Sequence, residues 1–346
     1  MDDTLILGIE TSCDETAAAV LRGGRRLLSH IISSQTETHA VFGGVVPEIA
    51  SREHCLRLGP VVREALTQAG AGFSDLSAVA VTYGPGLVGS LLVGVSGAKA
   101  MAFAAGKPLV AVNHLEAHIY ANFLEHPDLE FPLLALLVSG GHTHLILLSG
   151  HLRYRVLGRT RDDAAGEAFD KVARALGLGY PGGPRLEQAA RDGDPAAFAF
   201  PRAALEPGSW DFSFSGLKSA VLNSLNRARL KGEDLRVADA AASFQEAVVD
   251  ILARKTVAAL EATGVRTLAL GGGVAANQAL RRRLRAETAA RGVAFVYPSP
   301  VYCTDNGAMV AMCGHWRYLA SSFADWRLNA VPGLILHDFY KENGKM

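Results

Sequence analysis

FPLLALLVSGGHTHLILLSG, residues 131–150, is two apolar runs joined by a glycine pair. Each run has the length of a buried strand and Gly140-Gly141 suits a tight turn, so the stretch predicts a hairpin. The chain opens in the same way. LILGIE (5–10) reads as a buried strand running into the polar turn TSCDET (11–16), and AAAVLRGGRRLLSHII (17–32) as strand, Gly-Gly turn and strand. Two such units, roughly 130 residues apart, predict two similar lobes rather than unrelated domains.

Between the units the period changes. The chain turns helical after Pro47, residues 76–86 read as a strand, 87–105 as a small-residue helix and PLVAVNH (108–114) as a strand. VRTLALGGGVAANQALRRRL (265–284) is again a strand, a triple glycine and a helix. Strands alternating with helices indicate α/β lobes with a parallel or mixed sheet. The stretch 151–240 is richer in Gly, Pro and charge, and is expected to hold loops and helices particular to this chain. The helix at 87–105 suits a core position or an interface with a partner, the core being the commoner role.

The 346 residues are 49% hydrophobic and 20% charged, with Lys+Arg and Asp+Glu balanced at 34 each. Disorder is thereby excluded, and a nucleic-acid site would have to be a local patch or one completed by a partner. The basic stretches 22–26 and 280–287 are candidates, although such runs are usually solvated faces. No signal-peptide layout opens the chain, and no apolar run is expected to reach the ~20 residues of a membrane span. Cys13, Cys55, Cys303 and Cys313 lack framework spacing, which fits reduced thiols in a cytoplasm.

Three turns carry candidate chemistry. In LVSGGHTH (137–144) glycines let a ligand approach the backbone, and successive N–H groups make an anion cradle. LGGGVAAN (270–277) leads into a helix whose first turn carries Asn277, a geometry for phosphate or ribose. The turn 11–16 presents Asp14 and Glu15 together, either to take a proton or merely to close the turn. Neither a G-x-G-x-x-G fingerprint with its later acid nor a P-loop is present. The ordered set resembles the nucleotide contacts of the two-lobed actin-like ATPase and sugar-kinase fold, which implies a duplicated mixed-sheet core.

VNHLEAHIY (112–120) places His114 and His118 four apart, on one face of a helix. Glu116 lies roughly 200° round that helix, so the metalloprotease arrangement of H-E-x-x-H fails. Such pairs serve packing more often than metals, and a third donor would tip the balance. Asp305, at a predicted helix start, would complete two imidazoles and a carboxylate, a set suited to iron(II) or zinc; it could equally be a helix cap.

Ten stretches then occur in order: IETSCDET, HAVFGGVVPEIASREH, GPGLVGSLLVG, NHLEAH, LVSGGHT, AGEAFDKVA, YPGGPRLE, SFQEAV, GGGVAAN and CTDNGAM. Together they resemble the TsaD family across about residues 5–340. That resemblance implies transfer of a threonylcarbamoyl group from threonylcarbamoyl-AMP to the exocyclic amine of the adenosine beside the anticodon, in tRNAs reading codons that begin with A. It implies His114, His118 and Asp305 as ligands of one divalent metal, iron(II) ahead of zinc. It also implies an adenylate site made by Leu137, Val138, Ser139, Gly140, Gly141, Asp170, Gly183, Glu187 and Asn277, which ATP or AMP could also occupy.

Asp14 is the expected proton acceptor, Cys13 has no nucleophilic role and His142 stays unassigned. Implied partners are tRNA, a related actin-fold subunit and a small ATPase, with no membrane. The lobes are expected at 1–131 plus about 303–346, carrying the metal ligands, and at 132–302, carrying the nucleotide turns. The competing classes are an actin-fold acetate or sugar kinase and a non-catalytic ATP-binding regulator. Both would use magnesium, for which imidazoles are poor ligands.

Overall fold

The computed structural model describes residues 3–202, 206 and 208–336. The chain divides into two compact units, Met1–Leu129 with Pro298–Asp338, and Glu130–Tyr297.

The first unit is built on β1 (Leu5–Glu10), β2 (Glu15–Arg22), β3 (Arg26–Ser34), β4 (Ala78–Gly84) and β5 (Leu109–Asn113), in the order β3-β2-β1-β4-β5. The three leading strands form an antiparallel meander, while β4 and β5 add in parallel. β1 is central and buried on both faces, which explains why LILGIE does not alternate in polarity. Its odd residues Leu5, Leu7 and Ile9 join the core with Leu58, Val61 and Val62 of helix Pro47–Ala69 and with Val95, Ala98 and Ala102 of helix Val88–Ala105. The opposite face meets helix Gly307–Leu319 so closely that a Cβ on Gly8 would lie 2.4 Å from the Gly307 carbonyl oxygen. That approach brings the start of the helix, and Asp305 before it, against the sheet.

The second unit repeats the plan with β6 (Leu133–Val138), β7 (Thr143–Gly150), β8 (Arg153–Arg159), β9 (Thr267–Gly271) and β10 (Ala294–Val296). Their order, β8-β7-β6-β9-β10, is that of the first unit, with the same antiparallel meander and the same two parallel additions. The duplicated mixed-sheet core is therefore present. β8 falls within the stretch expected to hold loops and helices and is an addition to that reading.

Helix Val88–Ala105 is an exception to the expectation that no apolar run is long enough to span a membrane: its 18 residues have a mean hydropathy of 1.5. Its Ser90, Leu91, Gly94, Val95, Ala98 and Ala102 are buried in the first unit, whereas Val88, Leu92 and Phe103 are exposed.

Candidate metal centre and nucleotide turns

β5 runs directly into helix His114–Tyr120, where Asn113 caps the first turn by accepting from Leu115 N at 2.9 Å. All seven helical residues are buried. The spacing sets the His114 and His118 rings 4.6 Å apart, and Asp305 Oδ1 lies 3.5 Å from His114 Nε2 and 3.2 Å from His118 Nε2. Asp305 is not the cap of the helix it precedes. Asn306 does that, accepting from Met309 N at 2.9 Å.

Ions of this class sit about 2.0–2.2 Å from such donors, which puts neighbouring donors roughly 3.0–3.6 Å apart. The three donor atoms lie within 4.8 Å of one another, so the set fits one ion. A second observation agrees: both ring nitrogens of His118 are buried without a well-directed hydrogen bond. Burial disfavours a charged His114, but Asp305 and Glu10 outweigh it and hold the ring's pKa at about 9. Burial dominates at His118 and lowers its pKa. The same cluster of charge bears on the acidic turn. Burial, with Asp14 and Asp305 adding to it, pushes Glu15 well above the usual carboxylate range. Burial and the same two carboxylates raise the Cys13 thiol, which suits it poorly as a nucleophile. The turn is held by His54, whose Nε2 lies 2.9 Å from the Cys13 carbonyl oxygen and whose Nδ1 lies 2.7 Å from Thr16 Oγ1.

In the second unit Leu137 and Val138 are fully buried strand residues, so only their backbone can meet a ligand. Ser139 closes the β6–β7 turn by donating from its N–H to the His142 carbonyl at 2.8 Å, and Gly140 and Gly141 are exposed. Two neighbours crowd this turn. Gly272, at φ +87, would drive a Cβ to 2.4 Å from the Val138 carbonyl oxygen, and Gly166 would drive one to 2.5 Å from that of Ser139.

The other sequence-derived positions are linked pairwise. Asp170 Oδ1 accepts from Gly182 N at 2.8 Å, next to Gly183 at the start of helix Gly182–Ala190. Glu187 Oε1 accepts from Gln278 N at 2.8 Å. Asn277 caps helix Gln278–Ala289 through Leu280 N, and donates to Gln245 Oε1 at 2.8 Å. Asp170 and Glu187, implied as adenylate contacts, thus each hold a backbone N–H through one carboxylate oxygen. Replacing Asn277 by alanine is expected to cost about 1 kcal/mol through the lost cap. Equilibrium urea unfolding should show it, together with weaker AMP binding by calorimetry.

Some arginines of the basic runs are engaged within the chain. Arg283 pairs with Glu287 at 2.9 Å, the buried Arg281 donates to the Ala275 carbonyl, and Arg25 pairs with Asp128 at 2.9 Å. Sequence reasoning missed Glu10, Ser12, Thr82, Gln245 and Arg317. Only Glu10 leaves a signal, an acid ending an apolar strand.

Comparison with known proteins adds four findings. The family model described as tRNA N6-adenosine threonylcarbamoyltransferase (TsaD) matches residues 26–312. The protein of that name from Desulfitobacterium hafniense is 68% identical over 334 residues, covering 96% of this chain and 98% of its own. Its namesake from Symbiobacterium thermophilum is 59% identical over 336 residues, covering 97% and 98%. Among solved structures, T. kodakarensis HypF matches 94% of this chain and 49% of its own with a TM-score of 0.64. At 17% identity that likeness shows the fold alone.

Proposed function

The chain belongs to the TsaD family of tRNA N6-adenosine threonylcarbamoyltransferases, and from that premise we propose that it moves a threonylcarbamoyl group from threonylcarbamoyl-AMP to the exocyclic amine of the adenosine beside the anticodon, in tRNAs that read codons beginning with A. The observation that carries the chemistry is the convergence of His114, His118 and Asp305. These residues would hold one divalent ion, iron(II) ahead of zinc(II), and such an ion would polarise a carbonyl oxygen as a Lewis acid.

The remaining roles fall to the chain itself. The Ser139–Gly141 backbone and the Gly272 turn would receive the adenylate, with Asp170, Gly183, Glu187 and Asn277 shaping the surrounding helix starts. As the amine nitrogen attacks the carbamoyl carbon, the bond from that carbon to the phosphate oxygen breaks and AMP departs with the electron pair. Asp14, 7% exposed in the turn after β1, would take the proton that the amine loses. Ion-paired arginines and a zero net charge support weak tRNA binding alone, completed by a related actin-fold subunit and a small ATPase.

The small-molecule kinase and regulator alternatives give way to the family match and to the imidazole-rich donor set. The test is transfer of labelled threonine from threonylcarbamoyl-AMP to such a tRNA, with cognate partner proteins supplied. Label on the tRNA is expected, and an unlabelled tRNA in the presence of confirmed metal and partners would sink the assignment.

A further inference from the structure

We propose that Glu10 is the positioning residue of the metal centre: its carboxylate takes the Nδ1 hydrogen of His114 and so aims Nε2 at the ion. The inference rests on the metal reading above and adds to it a residue that the donor set does not contain.

Glu10 ends β1 and is completely buried. Its Oε1 accepts from Ser12 N at 2.5 Å, and its Oε2 accepts from Thr82 Oγ1 on the neighbouring β4 at 2.6 Å. The turn after β1 and the strand β4 therefore each hold one oxygen, which restrains the group. Oε2 also lies 3.2 Å from His114 Nδ1. An ionised carboxylate only accepts, so this contact keeps a hydrogen on Nδ1, and the proton that a metal ion would displace is the one on Nε2, which faces Asp305. Ser12 Oγ, 3.1 Å from the same Nδ1, can share that hydrogen.

Charge points the same way. A buried carboxylate needs compensating charge, and the polarised Nδ1 hydrogen of a neutral His114 provides part of it. A dication on the far side of the imidazole would supply the remainder. His118 differs, because its Nδ1 is buried with no hydrogen-bond partner. Of the two rings, then, His114 is the one with a carboxylate on its Nδ1 among the described residues, and loss of Glu10 should be felt through that ligand.

The test uses the full chain with zinc(II) alone. Affinity is read by competition with a chromogenic chelator, and the His114 ring by long-range proton–nitrogen spectra of the zinc-loaded, ¹⁵N-histidine-labelled protein. Glu10→Gln cannot accept all three hydrogen bonds, and is expected to bind zinc about 10- to 100-fold more weakly with a displaced His114 Nδ1 signal. Thr82→Val, which frees one side of the carboxylate, should shift both readouts in the same direction by less. A folded Glu10→Gln protein with wild-type affinity and an unmoved His114 signal would overturn the proposal. Should that variant not fold, Thr82→Val decides, and wild-type values there would overturn it equally. Failure of the unmutated chain to take up zinc or iron is a separate result, which would remove the metal reading itself.

Discussion

Asp305→Ala and His114→Ala are each expected to lose the bound metal and to slow threonylcarbamoyl transfer by about three orders of magnitude. A Lewis acid at a developing charge contributes several kcal/mol, and each 1.36 kcal/mol is tenfold in rate. With three protein donors converging, deletion of one leaves two, too few to retain the ion against buffer and water. The two substitutions act through a single ion, so the double variant should be no slower than either single one. Asp305→Ala should leave the fold intact, whereas His114→Ala removes the partner of the buried Glu10 carboxylate and is expected to lower stability as well. Asp305 is not the cap of its helix, and removing it relieves the charge that crowds Glu15. Metal content by mass spectrometry, circular dichroism and single-turnover transfer, run on the same preparations, settle the matter. A metal-free variant that still transfers at nearly the wild-type rate would refute the role assigned to the ion.

How far the sequence carried this picture depends on which physical signal each element leaves. The repeated meander was legible at 5–32 and 131–150 because apolar strands broken by paired glycines recur with the same layout. The strand β8, RYRVLGR, was not, since arginines at alternate positions of an edge strand look like loop composition. The strand β10 has three residues, too few for any period to register. Within the site, the histidine pair is a local signal of helical spacing. Its setting is not local: Glu10 meets His114 across 104 positions, and Asp305 arrives from a helix start near the end of the chain. The glycine turns announce a backbone approached closely, and Gly272 confirms one such need through its positive φ. The hydrogen bonds that engage Asp170 and Glu187 join backbone groups 12 and 91 residues away, which side-chain type alone does not reveal.

Glu116→Ala is expected to cost about 3–5 kcal/mol of stability, the range for removing one partner of a buried ion pair. Glu116 sits between the two metal histidines in sequence yet faces the other side of their helix, where its Oε2 accepts from Arg317 Nε at 3.1 Å and from Nη2 at 2.5 Å. It is completely buried and the Arg317 side chain only 21% exposed, so truncation strands a guanidinium in the interior. A seven-residue helix has little stability of its own, and this pair joins the packing that holds it to helix Gly307–Leu319, the element that follows Asp305. The damage should therefore reach the metal site as a loosened scaffold while the three donors remain present. Thermal unfolding should fall by roughly 10 °C. Glu116→Gln, which keeps an acceptor, should lose less. Pairing the truncation with Arg317→Met, which removes the stranded charge and keeps the bulk, should restore much of the loss. A Glu116→Ala protein destabilised by less than about 1 kcal/mol, on the scale of an exposed pair, would mean that the guanidinium escapes to solvent and that the clamp between the two helices is made by packing alone.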